Sequence, residues 1–200
     1  MKIIGVTGGI ATGKSTVCRI LAQKYGHIVV DADQISREVS ELPYAQEAIL
    51  SSFENCAGED GRFDRKKLAS IVFSDTSRLE ELEKILHPLI SSEFKRQAQV
   101  AASSGVGLLF YDCPLLFEKS LDTSPIDAVL LVYATEVVQI QRLLAKGFSL
   151  EDANGRIAAQ IPIEEKRGRA TWIIDNTSSF ENLESQVDEF AKMVADYEWE

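Results

Sequence analysis

Gly8, Gly13, Lys14 and Ser15 stand at the spacing G-x-x-x-x-G-K-[ST]. Those residue types in that order suit one task, the holding of a phosphate chain. Several backbone N–H groups must converge on one small concavity, and glycines leave room where the loop bends or comes closest. A helix that starts at the end of the loop adds unpaired N–H groups and the positive end of its dipole. Lys14 then reaches the outer phosphates from a site open to solvent, and Ser15 offers its hydroxyl to a Mg²⁺ ion. Gly9, Ala11, Thr12, Gly13 and Thr16 complete the set of candidate nucleotide-binding positions. The competing reading, a strand-to-helix turn that ends in Lys-Ser by chance, leaves the full pattern unexplained. The pattern specifies a nucleotide but says nothing about where a phosphoryl group would go.

Two carboxylate stretches offer further chemistry. In "VVDADQIS", Asp31 and Asp33 close an apolar run. Asp31 and Asp33 alternate, so one side chain should face the C-terminal sheet edge, where ligands bind in open α/β sheets, and the other should turn away. Asp33 there is a candidate proton acceptor for an attacking hydroxyl; as a helix cap it would be purely structural. In "LLFYDCPLLFE", Asp112 ends an apolar strand. With a phosphate loop present, that position suits a carboxylate that holds Mg²⁺ directly or through water, the alternative being a turn residue before Pro114. His87 precedes Pro88 at what reads as a helix start, and no His/Cys cluster suggests zinc.

These groups need a frame. Short apolar runs without alternation recur at Ile3–Val6, Ile28–Val30, Gly107–Tyr111, Ala128–Tyr133 and Trp172–Ile174. Strands covered on both faces read this way. Helical patterns lie between them, so the expected fold is α/β, a doubly wound parallel five-stranded sheet. The stretch from about 34 to 105 is too long for one crossover and reads as a helical insertion, with Asp64 as an N-cap and a helix broken or kinked at Pro88. A second insertion, about 146 to 170, starts a helix at Ser149 and gathers Arg156, Gln160, Lys166, Arg167 and Arg169. Glu151, Glu164 and Glu165 are the neighbouring acidic partners expected for those cations. The last helix places Leu183, Val187, Phe190 and Val194 on one face, a core stripe.

Composition excludes several classes. The net charge of −10 argues against a nucleic-acid-binding surface. Cys18, Cys56 and Cys113 form no motif and cannot all pair, which points to a reduced, cytoplasmic setting. No apolar run approaches the ~20 residues of a membrane span. Met1-Lys2 leads straight into the first strand, so no cleavable signal is expected. Asn176-Thr177-Ser178 matches a glycosylation acceptor by chance.

The order and spacing of "GVTGGIATGKSTV", "DADQIS", "LHPLI", "DCPLLFE", "RIAAQ" and "IIDN" resemble the dephospho-CoA kinase family from Gly5 to about Asn176, and more weakly beyond. The resemblance implies a P-loop NTPase-type core over residues 1–200, a helical substrate-binding insertion and a closing lid. It implies transfer of the ATP γ-phosphoryl group to the ribose 3′-hydroxyl of dephospho-CoA, the last step of coenzyme A synthesis, with Mg²⁺; a monomer is expected, and charge and hydropathy argue against nucleic-acid and membrane partners. It assigns the role of base to Asp33 and sets Arg142 and Arg156 over the phosphates. Four positions depart from the family pattern: Ala11-Thr12 replaces Gly-Ser, Lys146 replaces a lid arginine, and Thr171 replaces an aspartate. Lysine keeps the charge but loses the bidentate fork. A nucleoside or nucleotide kinase on the same core is the nearest rival reading. A guanine-reading switch is disfavoured, because no Asn-Lys-x-Asp run exists, and a sensor without turnover ranks below both.

Overall fold

The computed structural model describes residues 1–118 and 125–199, with backbone alone at 73 and 74. Five strands form one parallel sheet: β1 (Lys2–Gly8), β2 (Ile28–Asp31), β3 (Leu108–Asp112), β4 (Ala128–Tyr133) and β5 (Trp172–Asp175). Their order is β2-β3-β1-β4-β5. Each expected strand is present, and β1 runs two residues past Val6 because Thr7 and Gly8 still pair with Leu131 and Val132. Connections leaving β1 and β3 run in opposite directions, so the C-terminal ends of these neighbours flank the switch point where open α/β sheets bind ligands.

Helices α1 (Lys14–Tyr25), α6 (Glu136–Ala145), α7 (Leu150–Ala158), α8 (Ile163–Arg169) and α9 (Phe180–Ala195) belong to the same compact unit as the sheet, Met1–Asp31 with Ala101–Glu200. Its core joins Ile4, Val6, Leu130 and Val132 of the sheet to Val17 and Leu21 of α1. The predicted stripe of α9, Leu183, Val187, Phe190 and Val194, lies wholly within it. Ser149 accepts from the Asp152 N–H at 3.0 Å and so caps α7.

A second compact unit, Ala32–Val100, holds α2 (Ala32–Ser40), α3 (Pro43–Ser52), α4 (Arg65–Ser74) and most of α5 (Thr76–Ser103). It has its own core of Ile49, Phe53, Cys56, Phe63, Leu68 and Val72. Asp64 caps α4 as expected, accepting from the N–H groups of Lys66 and Lys67.

Of the break or kink expected at Pro88, the break does not occur. α5 is one helix of 28 residues with Pro88 inside it, so His87 lies mid-helix and not at a start. A proline in a helix interior costs ~3 kcal/mol. Apolar faces on both sides of it oppose that cost: Leu79, Leu82, Ile85 and Leu86 pack on the helical core, and Ile90, Phe94 and Ala98 are buried.

Candidate active site

The glycine-rich run is the loop between β1 and α1. Thr12 folds it tightly, its N–H and its hydroxyl both donating to the Gly9 carbonyl at 3.3 and 2.9 Å. Two positions demand glycine. A Cβ on Gly8 would lie 2.7 Å from the Val132 carbonyl of β4, and Gly13 sits at φ +97° with its missing Cβ directed at the Asn176 amide. Ala11, in contrast, is held at φ 60°. An L-residue pays for that conformation, so the Ala-for-Gly departure costs strain that the sequence alone did not reveal.

The loop's carbonyls face protein donors. Arg142 of α6 donates to the Ala11 and Thr12 carbonyls, both at 3.2 Å, and to the Asn176 carbonyl at 2.7 Å. Asn176 donates its side-chain amide to the Thr12 carbonyl at 2.7 Å. Burial lowers the Arg142 pKa from its ordinary value. Arg142 therefore grips the loop's backbone.

Lys14 and Asp112 form an ion pair. Strand register puts Asp112 beside Val6 on one side and Asp31 on the other. The Cys113 N–H donates to the Val6 carbonyl and the Thr7 hydroxyl to the Pro114 carbonyl, tying the turn after β3 to β1. Lys14 was expected to face solvent. It is largely buried, its side chain 13% exposed, because Asp112 draws it inward. Burial, with Asp112 next in weight, pushes the neighbouring Cys18 thiol well above its ordinary range. All three cysteines are buried thiols outside any disulfide. Ser15 is exposed and Thr16 half-buried in the first turn of α1.

Asp31 ends β2 and the backbone turns helical at Ala32. The alternation expected of Asp31 and Asp33 therefore fails. Asp33 is exposed inside the first turn of α2, where its charge suits the helix dipole, while Asp31 holds the position before the helix.

The basic insertion is more firmly held than its sequence neighbours suggest. Lys166 is fully buried and pairs with Glu118, the last residue of "DCPLLFE". The pairs Arg167–Glu164 and Arg169–Glu165, each 3.7 Å, are the expected local ones. Arg156 stacks over the Phe148 ring, its guanidinium carbon 4.6 Å from the centroid. Lys146 is exposed at the end of α6. Thr171 gains an explanation, since its hydroxyl accepts from the Val129 N–H at 3.1 Å and sets the start of β5 against β4.

Sequence reasoning missed Asn176, Gln160 and Glu118 as supports of the loop. The one signal available was position, because Asn176 ends "IIDN" directly after β5 and Glu118 ends "DCPLLFE" shortly after β3.

Comparison with known proteins agrees with this geometry. A solved structure from Thermus thermophilus, TT1252, superposes with a TM-score of 0.80 at 36% identity, covering 98% of each chain. A dephospho-CoA kinase from Campylobacter jejuni superposes with a TM-score of 0.73 at 28% identity, over 97% of this chain and 98% of that one. The dephospho-CoA kinase of Carboxydothermus hydrogenoformans is 42% identical over 190 residues, 94% of this chain and 91% of its own. The family model described as Dephospho-CoA kinase matches residues 2–182, and the chain belongs to that family.

Proposed function

We infer that the chain transfers the γ-phosphoryl group of ATP to the 3′-hydroxyl of dephospho-CoA, giving coenzyme A. The observation that carries this reading is the Lys14–Asp112 pair at the mouth of a phosphate loop, in a member of this family. A phosphate chain entering the loop offers Lys14 a new partner and releases Asp112. The oxygen donors of Ser15 and Asp112 then suit Mg²⁺, which takes few protein ligands and keeps phosphate oxygens and waters. When bound, Mg²⁺ supplies positive charge beside the β- and γ-phosphates.

In this reading Gly8, Gly9, Ala11, Thr12, Gly13, Lys14, Ser15 and Thr16 hold the triphosphate. Lys14 neutralises charge on the transferring group. Asp33 accepts the 3′-hydroxyl proton as the new O–P bond forms and the bond from the γ-phosphorus to the bridging oxygen of ADP breaks. Arg156 contributes charge from α7, and Arg142 acts from behind the loop. Phosphoryl transfer requires chiefly positioning and electrostatics, which these groups provide. The helical unit receives the acceptor. Supporting this, it contains a cavity of about 260 Å³ lined by Phe63, Leu68, Val72 and Leu82, with Ser36 and Arg65 as polar groups. A monomer in the cytoplasm suits three buried thiols and a single chain that carries both nucleotide and acceptor elements. Among the described residues no helix is long and apolar enough to cross a membrane.

Asp33→Asn tests the assignment of the base. It keeps size and local hydrogen bonding but cannot take the proton. The kcat should fall by ~10²–10⁴-fold with both KM values little changed. A loss confined to thermal stability or ATP affinity would return Asp33 to a structural role.

A further inference from the structure

An anion-binding loop must turn its N–H groups inward, so its carbonyls turn outward and need donors there. Arg142 and Asn176 serve the Ala11 and Thr12 carbonyls. The beginning of the loop is served from elsewhere. The Lys166 ammonium approaches the Gly8 carbonyl at 3.5 Å. The Gln160 side-chain oxygen accepts the Ile10 N–H at 2.8 Å. Both residues come from the stretch between α7 and the end of α8, 150 or more positions away in sequence.

Lys166 has no exposed surface, so its charge survives only by pairing. Glu118 provides the pair, and its Oε1 also accepts the Ile161 N–H at 3.3 Å. Among the described residues, the other carboxylate oxygen, Oε2, is buried without a hydrogen-bond partner. A buried ion pair with an unsatisfied oxygen is a poor way to gain stability, since an apolar pair of similar volume often does as well or better. Its position suits a different purpose. A cation fixed beside the Gly8 carbonyl holds the first residue of the loop where β1 ends.

We propose that Lys166, held by Glu118, is a positioning residue for nucleotide binding that fixes the start of the phosphate loop through the Gly8 carbonyl, with Gln160 fixing Ile10. It does not touch the nucleotide. This rests on the kinase reading only in requiring that ATP binds the loop; it is independent of the acceptor.

The experiment compares Lys166→Met with the double variant Lys166→Met/Glu118→Met in the full chain. Thermal unfolding and the affinity for Mg-ATP are measured with no acceptor present. The single variant leaves a buried carboxylate alone and should lose stability. The double variant should regain it, because no charge remains buried. ATP affinity should stay reduced by ~10–100-fold in the double variant, the scale on which small misplacements act. Wild-type ATP affinity in the well-folded double variant would overturn the proposal and make the pair purely structural. Should the single variant not fold, the double variant alone decides. A wild-type chain that binds Mg-ATP but fails to phosphorylate dephospho-CoA would contradict the acceptor assignment and leave this test intact.

Discussion

Ala11 shows how a single methyl group enters the site's energetics. Its φ of 60° lies in the region that glycine occupies freely and alanine does not. Ala11→Gly should raise stability by ~0.5–1 kcal/mol, because removal of native strain outweighs the greater freedom of the unfolded chain. The midpoint of urea unfolding checks this, and an unchanged or lower midpoint would show that the backbone bears no strain there. The spacing of Gly8, Gly13, Lys14 and Ser15 was fully legible in sequence, because the motif encodes backbone conformation. The partners of those residues were not. Lys14 meets Asp112 and Lys166 meets Glu118 across 98 and 48 positions respectively. Such pairings follow from strand order and loop docking, which a local pattern of residue types does not contain.

Elements behave differently. The five strands were legible because continuous apolar runs bounded by turns have few other uses in an α/β chain. The break at Pro88 was a misreading, because local propensity lost to the apolar faces on both sides of α5. The segment from 146 to 170 reads as one mobile lid in sequence, but its two helices are held unequally. α8 is fastened by the Lys166–Glu118 pair and by the Tyr133 hydroxyl, which donates to Glu164 at 2.6 Å and has its own pKa raised by that bond. Arg169 also stacks over Phe117 at 4.3 Å. α7 is joined to α6 through Gly147 at φ +89° and buries Ala153. Binding of Mg-ATP with acceptor should therefore slow hydrogen exchange in α7, while α8 is protected before and after. Equal slowing across both helices would mean that α8 moves with the lid.

At the scale of the whole molecule, the chain forms two compact units with separate cores, and in the proposed reading the first binds the phosphates and the second the acceptor. The core's identity was legible in the order of short strings along the chain, and the helical unit's extent in the length of a gap. In the proposed reading that unit selects the acceptor. Binding energy from parts of a substrate remote from the reacting atom assists transfer only when the whole substrate is present. The most direct measurement is a turnover assay with Mg-ATP and a panel of acceptors, followed by location of the new phosphate on the product by ³¹P NMR. Dephospho-CoA should be phosphorylated at the ribose 3′-hydroxyl with kcat/KM at least ~100-fold above adenosine or AMP, the size of effect that remote binding energy supplies. Comparable kcat/KM for AMP, or a phosphate found at any other hydroxyl, would contradict the account.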